Sequence, residues 1–262
     1  MLNCSGDPLE NYLKPFGFSV VLLPRAGIAP LQLAVMKASR RLETIGDVAG
    51  VFSTNSVPLP AVTSDTALNL AGTRSGSLNV GVGLKLLSGA FSVLGIPPRG
   101  ISVGFNRAKK LSFEFADVSV DSIAFADLDR FLADASLIGN APSVRAMLDA
   151  DSVHAVLSVL RARTIIINAE GDSGGEAAID LPGLKDVIGA NASVKAANAS
   201  ASKLELTSPV PLAFGVKAVQ LFFANGSLAT LKPVDAGSLA LESSGIYVPN
   251  TDPVLLDPDA VV

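Results

Sequence analysis

Apolar and polar residues alternate most cleanly between Thr66 and Leu86. Leu78, Val80, Val82, Leu84 and Leu86 fall on one face of an extended chain, and Ser77, Asn79, Gly81, Gly83 and Lys85 on the other. In the preceding arm Leu68 and Leu70 flank Asn69, and Gly72 to Gly76 supply a polar, glycine-bounded connection. The pattern predicts a hairpin. A strand of about 9–11 residues, apolar on one face only, spans a bilayer when it belongs to a closed β-structure. The same pattern fits a half-buried hairpin of a soluble sheet, and both readings stand at this point.

The rest of the chain divides by period. Gly17 to Leu23 and Leu31 to Met36 read as strands, and Lys37, Arg40 and Arg41 form a basic cluster behind them. Residues 53–65 read as loop or edge strand. Ala90 to Leu94 is a short strand, and Ile101 to Phe105 with Leu111 to Phe115 predict a second hairpin whose tip, 106–110, is cationic. Helical spacing then takes over. Asp121 is an N-cap candidate for Ala124, Leu128, Phe131, Leu132 and Ala135, and Val144, Met147 and Leu148 mark a further short helix. Val153, Val156, Leu157 and Leu160 predict a third helix, capped by Asp151 or Ser152, with His154 beside its apolar stripe. Strands return at Ala162 to Ala169, where Ile165 and Ile167 lie at the centre, and a short helix follows Pro182. One long strand is predicted over Ala190 to Thr207, with Val194, Leu204 and Leu206 on its apolar side, and another over Leu212 to Phe223. Residues 233–262 have little periodicity and read as an extended, docked tail.

Composition narrows the function classes. The 262 residues are 49% apolar but 5% aromatic, with no Trp, so small side chains carry much of the apolar content and suit closely packed sheets. The net charge of −4 disfavours nucleic acid as a partner. The charge is uneven: eleven Lys/Arg against seven Asp/Glu before residue 118, and five acids with no base after residue 232. A basic first half with an acidic tail suits an anionic surface held off by the tail, and equally suits solvated charge. The single Cys4 excludes an intrachain disulfide. It reads as a small buried residue, an ordinary thiol or a site of S-acylation. Residues 1–15 lack the apolar core of a signal peptide and no apolar run approaches about 18 residues, so a cytoplasmic protein without a transmembrane helix is expected.

The sharpest chemical motif is Gly171-Asp172-Ser173-Gly174-Gly175, which matches the nucleophile segment of chymotrypsin-like serine proteases. Such an enzyme needs a His base and a buried Asp. The sole candidate base, His154, lacks the family's surroundings, and Glu176 stands where the family has Pro. One His and one Cys, far apart, offer no metal site, and no phosphate-binding glycine loop is present, so no catalytic or metal residue is assigned.

Cys4 with Gly6-Asp7-Pro8, and Tyr12-Leu-Lys-Pro-Phe-Gly-Phe18 running into a strand and Pro24-Arg25, open an order of elements that continues with an amphipathic hairpin, a helical middle, a second long strand pair and a short acidic tail. Over nearly its whole length the chain resembles the bacterial gasdermins. The resemblance implies an α+β fold: a twisted, mainly antiparallel sheet with surrounding helices over 1–240, and a docked autoinhibitory peptide over 241–262. It implies a non-enzymatic protein of antiphage defence, monomeric and cytoplasmic when intact. A caspase-like protease would cut once, within Asp235 to Gly245, and the freed body would oligomerise in the inner membrane into a large β-barrel pore. Leu68, Leu70, Leu78, Val80, Val82, Leu84, Leu86, Ile165, Ile167, Val194, Leu204 and Leu206 would face membrane lipid, and Cys4 would carry a palmitoyl group. The competing expectations are a soluble lipid- or protein-binding module and a hydrolase using Ser173.

Overall fold

The computed structural model describes residues 13–36, 41–67, 78–79, 84, 104–139, 141–171, 175–180, 194–196, 202–224, 226–234 and 255–256. Strands dominate: β1 (Ser19–Arg25), β2 (Gln32–Met36), β3 (Arg41–Asp47), β4 (Phe52–Ser53), β5 (Thr63–Thr66), β6 (Leu78–Asn79), β7 (Lys110–Ser122), β8 (Ser136–Leu137), β9 (Val153–Glu170), β10 (Val194–Ala196), β11 (Lys203–Ala224), β12 (Ser227–Pro233) and β13 (Leu255–Leu256). Among the described residues α1 (Val48–Val51), α2 (Phe125–Ala133), α3 (Pro142–Asp149) and a 3-10 turn over Lys14–Phe16 accompany them. Among the described residues eleven strands form one sheet, and β4 pairs with β8 apart from it.

Part of the large sheet closes on itself. β1 pairs with β11, β11 with β9, β9 with β2, β2 with β3, β3 with β13, and β13 with β1 again. The last stave comes from the far end of the chain. It runs parallel to both neighbours, with Leu256 opposite Val21 and Leu42, and Leu255 opposite Arg41. Beyond this ring β9 and β11 continue beside β7 as a long antiparallel sheet. β5 and β6 lie along the outer edge of β7, and β10 and β12 along β11.

Three cores follow from this layout. The first lies on one face of the long strands and gathers Phe113, Phe115, Ile165, Ile167, Leu204, Leu206 and Phe214. The second packs Leu128, Phe131 and Leu132 of α2, spaced to share one helix face, against Leu33, Val153, Ala155, Val219 and Leu221. The third belongs to the ring and, among the described residues, is built of Val, Ile and Ala, among them Val21, Ala34, Val156, Val159, Ala213 and Val216.

Several expectations are corrected. Residues 153–160 are the start of β9, not a helix. Val153 and Ala155 enter the second core, Val156 and Val159 the third and Leu160 the first. A strand buried on both faces loses its alternation, so its apolar positions mimic helical spacing. Asp121 is inside β7 rather than capping α2, whose N-cap position is Ala124. The second hairpin does not form as predicted: Leu111 pairs with Leu78 and Ala169, and Gly104 is helical. Ile101 to Val103 and residues 90–94 lie outside the described residues. Ala190 to Thr207 is not one strand, because Val194 pairs antiparallel with Leu206 and Ala196 with Leu204.

Candidate membrane-inserting sheet

Register builds the site. Phe113, Ile167, Leu204 and Ala196 form one cross-strand row over β7, β9, β11 and β10. Phe115, Ile165, Leu206 and Val194 form the next apolar row. Leu78, Leu111 and Ala169 form a third. Between them run two polar rows, Ser112, Asn168 and Lys203, and Glu114, Ile166, Glu205 and Lys195, and Ala116, Thr164 and Thr207 follow beyond Phe115. Each row crosses the strands because antiparallel pairing of period-2 chains puts opposite residues on the same face. The result is a sheet with one apolar and one largely polar face, interrupted on the polar side by buried Ile166.

The apolar rows are covered in this state. Leu13, Phe18, Phe105, Ala108, Ala177 and Ile179 complete the first core over them. The segment Leu13–Phe18 forms a hook, closed by the Phe18 amide donating to the Leu13 carbonyl at 3.2 Å. It lies where β11 carries Gly215: a Cβ there would stand 3.2 Å from a Leu160 methyl, 3.3 Å from a Leu13 methyl and 3.4 Å from Phe18 Cβ. Lys217 Nζ sits 4.4 Å from the centre of the Phe18 ring, and burial beside it lowers the Lys217 pKa. Phe115 stacks on Phe214 with ring centres 4.0 Å apart.

The predicted lipid-facing residues divide three ways. Ile165, Ile167, Leu204 and Leu206 are buried together in the first core, and Leu78 and Val194 lie in their rows. The antiparallel pairing of β10 with β11 leaves the parity of Val194, Leu204 and Leu206 intact, because paired positions there are both even or both odd. Leu84 also packs against this core, but from helical backbone, which corrects its expected place on a strand. Leu68, Leu70, Val80, Val82 and Leu86 lie outside the described residues, as do Cys4, Ser173 and the window Asp235 to Gly245.

Sequence reading missed a polar network at the far end of β7. Arg161 Nε donates to Asp121 Oδ2 at 2.6 Å, Nη1 to the Ala26 carbonyl at 3.1 Å, and Nη2 to the Ile28 carbonyl. Ser64 Oγ donates to the other oxygen of Asp121 at 2.6 Å. The partners are far apart in the chain, so no local spacing announces them. The phenylalanines 113 and 115 were visible as alternation; Phe214 becomes their partner only through register.

The geometry speaks against a Ser–His pair. His154 is the second residue of the 18-residue β9, and the chain turns back beyond its other end, where the Gly171 amide donates to the Gly175 carbonyl. At ~3.3 Å per residue, Gly171 at that end is on the order of 50 Å from His154. His154 is itself buried. Its Nδ1 donates to the Ser152 carbonyl at 3.0 Å, while Nε2 has no partner among the described residues. Desolvation lowers its pKa to about 4, partly offset by that hydrogen bond. Among the described residues no cluster of His, Cys, Asp and Glu could hold a metal ion. No described helix is long and apolar enough to cross a membrane, which leaves strands unaddressed.

The family model described as the Bacterial Gasdermin Family matches residues 21–232. A gasdermin of Lysobacter enzymogenes is 39% identical over 90% of this chain and 88% of its own length. One from a Desulfuromonadales bacterium is 33% identical over 91% and 90%. The solved structure of a bacterial gasdermin from Bradyrhizobium tropiciagri superposes with a TM-score of 0.67 at 18% identity, over 97% of both chains. The chain thus belongs to the bacterial gasdermins, a family of pore-forming proteins and not of enzymes.

Proposed function

We propose that this chain is stored as an autoinhibited monomer and is released by a single cut between Asp235 and Gly245. The observation that carries the reading is β13: a dipeptide from the tail is the stave joining β1 to β3. Removal of the tail would leave facing edges of β1 and β3 with unpaired backbone groups, a template for new strand pairing. Loss of the residues after Gly245 also moves the net charge from −4 to −1, since Asp252, Asp257 and Asp259 leave. Repulsion from an anionic surface falls accordingly.

The two-faced sheet supports the second half of the proposal. In a bilayer every backbone group of an inserted strand needs a partner, which only a closed ring of strands provides. Among the described residues the sheet ends at β5 and β10, so a closed ring would take many copies. The apolar rows around Ile165 and Leu206 would then face lipid and the polar rows an aqueous channel. The cut would be made by a caspase-like protease, and the pore would open the bacterial inner membrane as a cell-death step of antiphage defence. A palmitoyl group on Cys4 would add roughly 0.8 kcal/mol of membrane affinity per buried methylene.

Protein truncated at residue 240 is expected to release dye from anionic liposomes, and full-length protein to leave them sealed. A truncated protein that stays monomeric on the liposomes and releases nothing overturns the proposal and favours a soluble binding module. Intact mass of natively expressed protein is expected to show one added acyl chain, lost in Cys4→Ser.

A further inference from the structure

The ladders between the three long strands break at one common level, although each strand runs on through it. In β7, Asp117 has φ +53 and falls between the pairs Ala116–Thr164 and Val118–Ala162, so neither it nor Arg163 joins the ladder. In β11, Thr207 pairs with Thr164 but the next paired residue is Leu212, opposite Ala162. Ser208-Pro209-Val210-Pro211 therefore form a bulge of four strand residues opposite Arg163 at the same height. Pro209 and Pro211 have no amide hydrogen, so two alternate positions of β11 cannot donate to a neighbour in any straightened register. Asp117, Arg163, Pro209 and Val210 are exposed along this line.

The two sides differ in what holds them. On one side lie the pairings of β1, β2 and β12, the second and third cores, and Arg161 with its hold on Asp121, Ala26 and Ile28. On the other side the described pairings of β7, β9 and β11 beyond one another are those with the short β6 and β10 and the single bridge Glu170–Glu176, and the first core covers one face. The first core spans both sides, and the Phe115–Phe214 stack bridges the line.

We infer that this line is a hinge: the segments 110–116, 164–170 and 203–207 move as one ribbon against a body that keeps its fold. The Pro209-x-Pro211 pair ends the ladder there whichever way the ribbon turns, so membrane strands would grow away from the line. Each of β7 and β9 offers roughly 7 residues beyond it, short of the ~9–11 a crossing needs, so the ribbon has to lengthen at its far end. This last step rests on the pore proposal; the hinge itself does not.

Hydrogen exchange on the intact full-length chain tests the hinge without any membrane. Amides of 110–116, 164–170 and 203–207 are expected to exchange together, with protection at least about tenfold below that of 153–162 and 212–220. Equal protection across the line overturns the inference. In a triple variant, Asp117→Val with Pro209→Thr and Pro211→Thr, the step is expected to shrink below about threefold, since β-branched residues resist positive φ and the two threonines restore donors. A step unchanged in that variant also overturns it. Should the triple variant fail to fold, Asp117→Gly, which frees the hinge, is expected to widen the step, and an unchanged step again refutes it. A clear step in a chain whose truncated form releases no dye leaves the hinge standing and removes the pore proposal.

Discussion

Replacing Arg161 by Met gives the most exacting check on the energetics of this fold. The guanidinium and the Asp121 carboxylate are 14% and 19% exposed, so both are largely out of water. One side chain makes three donations, to Asp121, Ala26 and Ile28. Met keeps most of the volume and removes all three. Asp121 keeps Ser64 as a donor, but its charge loses its counterion. Breaking a buried pair from one side costs ~3–5 kcal/mol, because the remaining charge stays desolvated. Asp121→Asn keeps the shape and one acceptor oxygen but loses the charge and replaces the other acceptor by an N–H donor, and should cost about 2 kcal/mol. The double variant should fall well short of the sum, by about 2 kcal/mol, since both single changes remove one shared interaction. Urea unfolding followed by circular dichroism reads this as a lower midpoint at unchanged slope. A loss under about 1 kcal/mol for Arg161→Met, or strict additivity, would refute the idea that this network fastens the turn after β1 to β7 and β9.

Two further outcomes follow from buried positions. His154 has a folded pKa of about 4 against 6.5 in its reference state. The unfolded chain therefore binds the extra proton first, and stability is lost as pH falls from 6.5 towards 4, by up to about 3 kcal/mol. Unfolding midpoints between pH 7 and 5 should decline in the wild type and stay flatter in His154→Gln; parallel profiles would exclude His154 as the cause. At Gly215 the added Cβ of alanine meets Leu160, Leu13 and Phe18, so Gly215→Ala should cost about 1–3 kcal/mol by overpacking. Leu13→Val in the same chain should recover part of that loss, and a neutral Gly215→Ala would show that the hook at Leu13–Phe18 yields easily.

Sequence alone determined which residues share a face. Ile165, Ile167, Leu204, Leu206 and Val194 were legible because period-2 alternation survives any antiparallel pairing that keeps parity, even where one predicted strand proves to be two paired strands. The helix over Phe125–Ala133 was legible for the same kind of reason, through Leu128, Phe131 and Leu132. Tertiary structure decided the rest. Residues 153–160 became a strand because both faces found cores, which left no local period to read. Leu84 is helical despite the alternation of the sequence around it, and packs partly buried against the first core. The closing stave at Leu255–Leu256, the Arg161 network and the line through Asp117, Arg163 and Pro209 join residues far apart in the chain. Such contacts depend on which strands come together, and no local pattern specifies that.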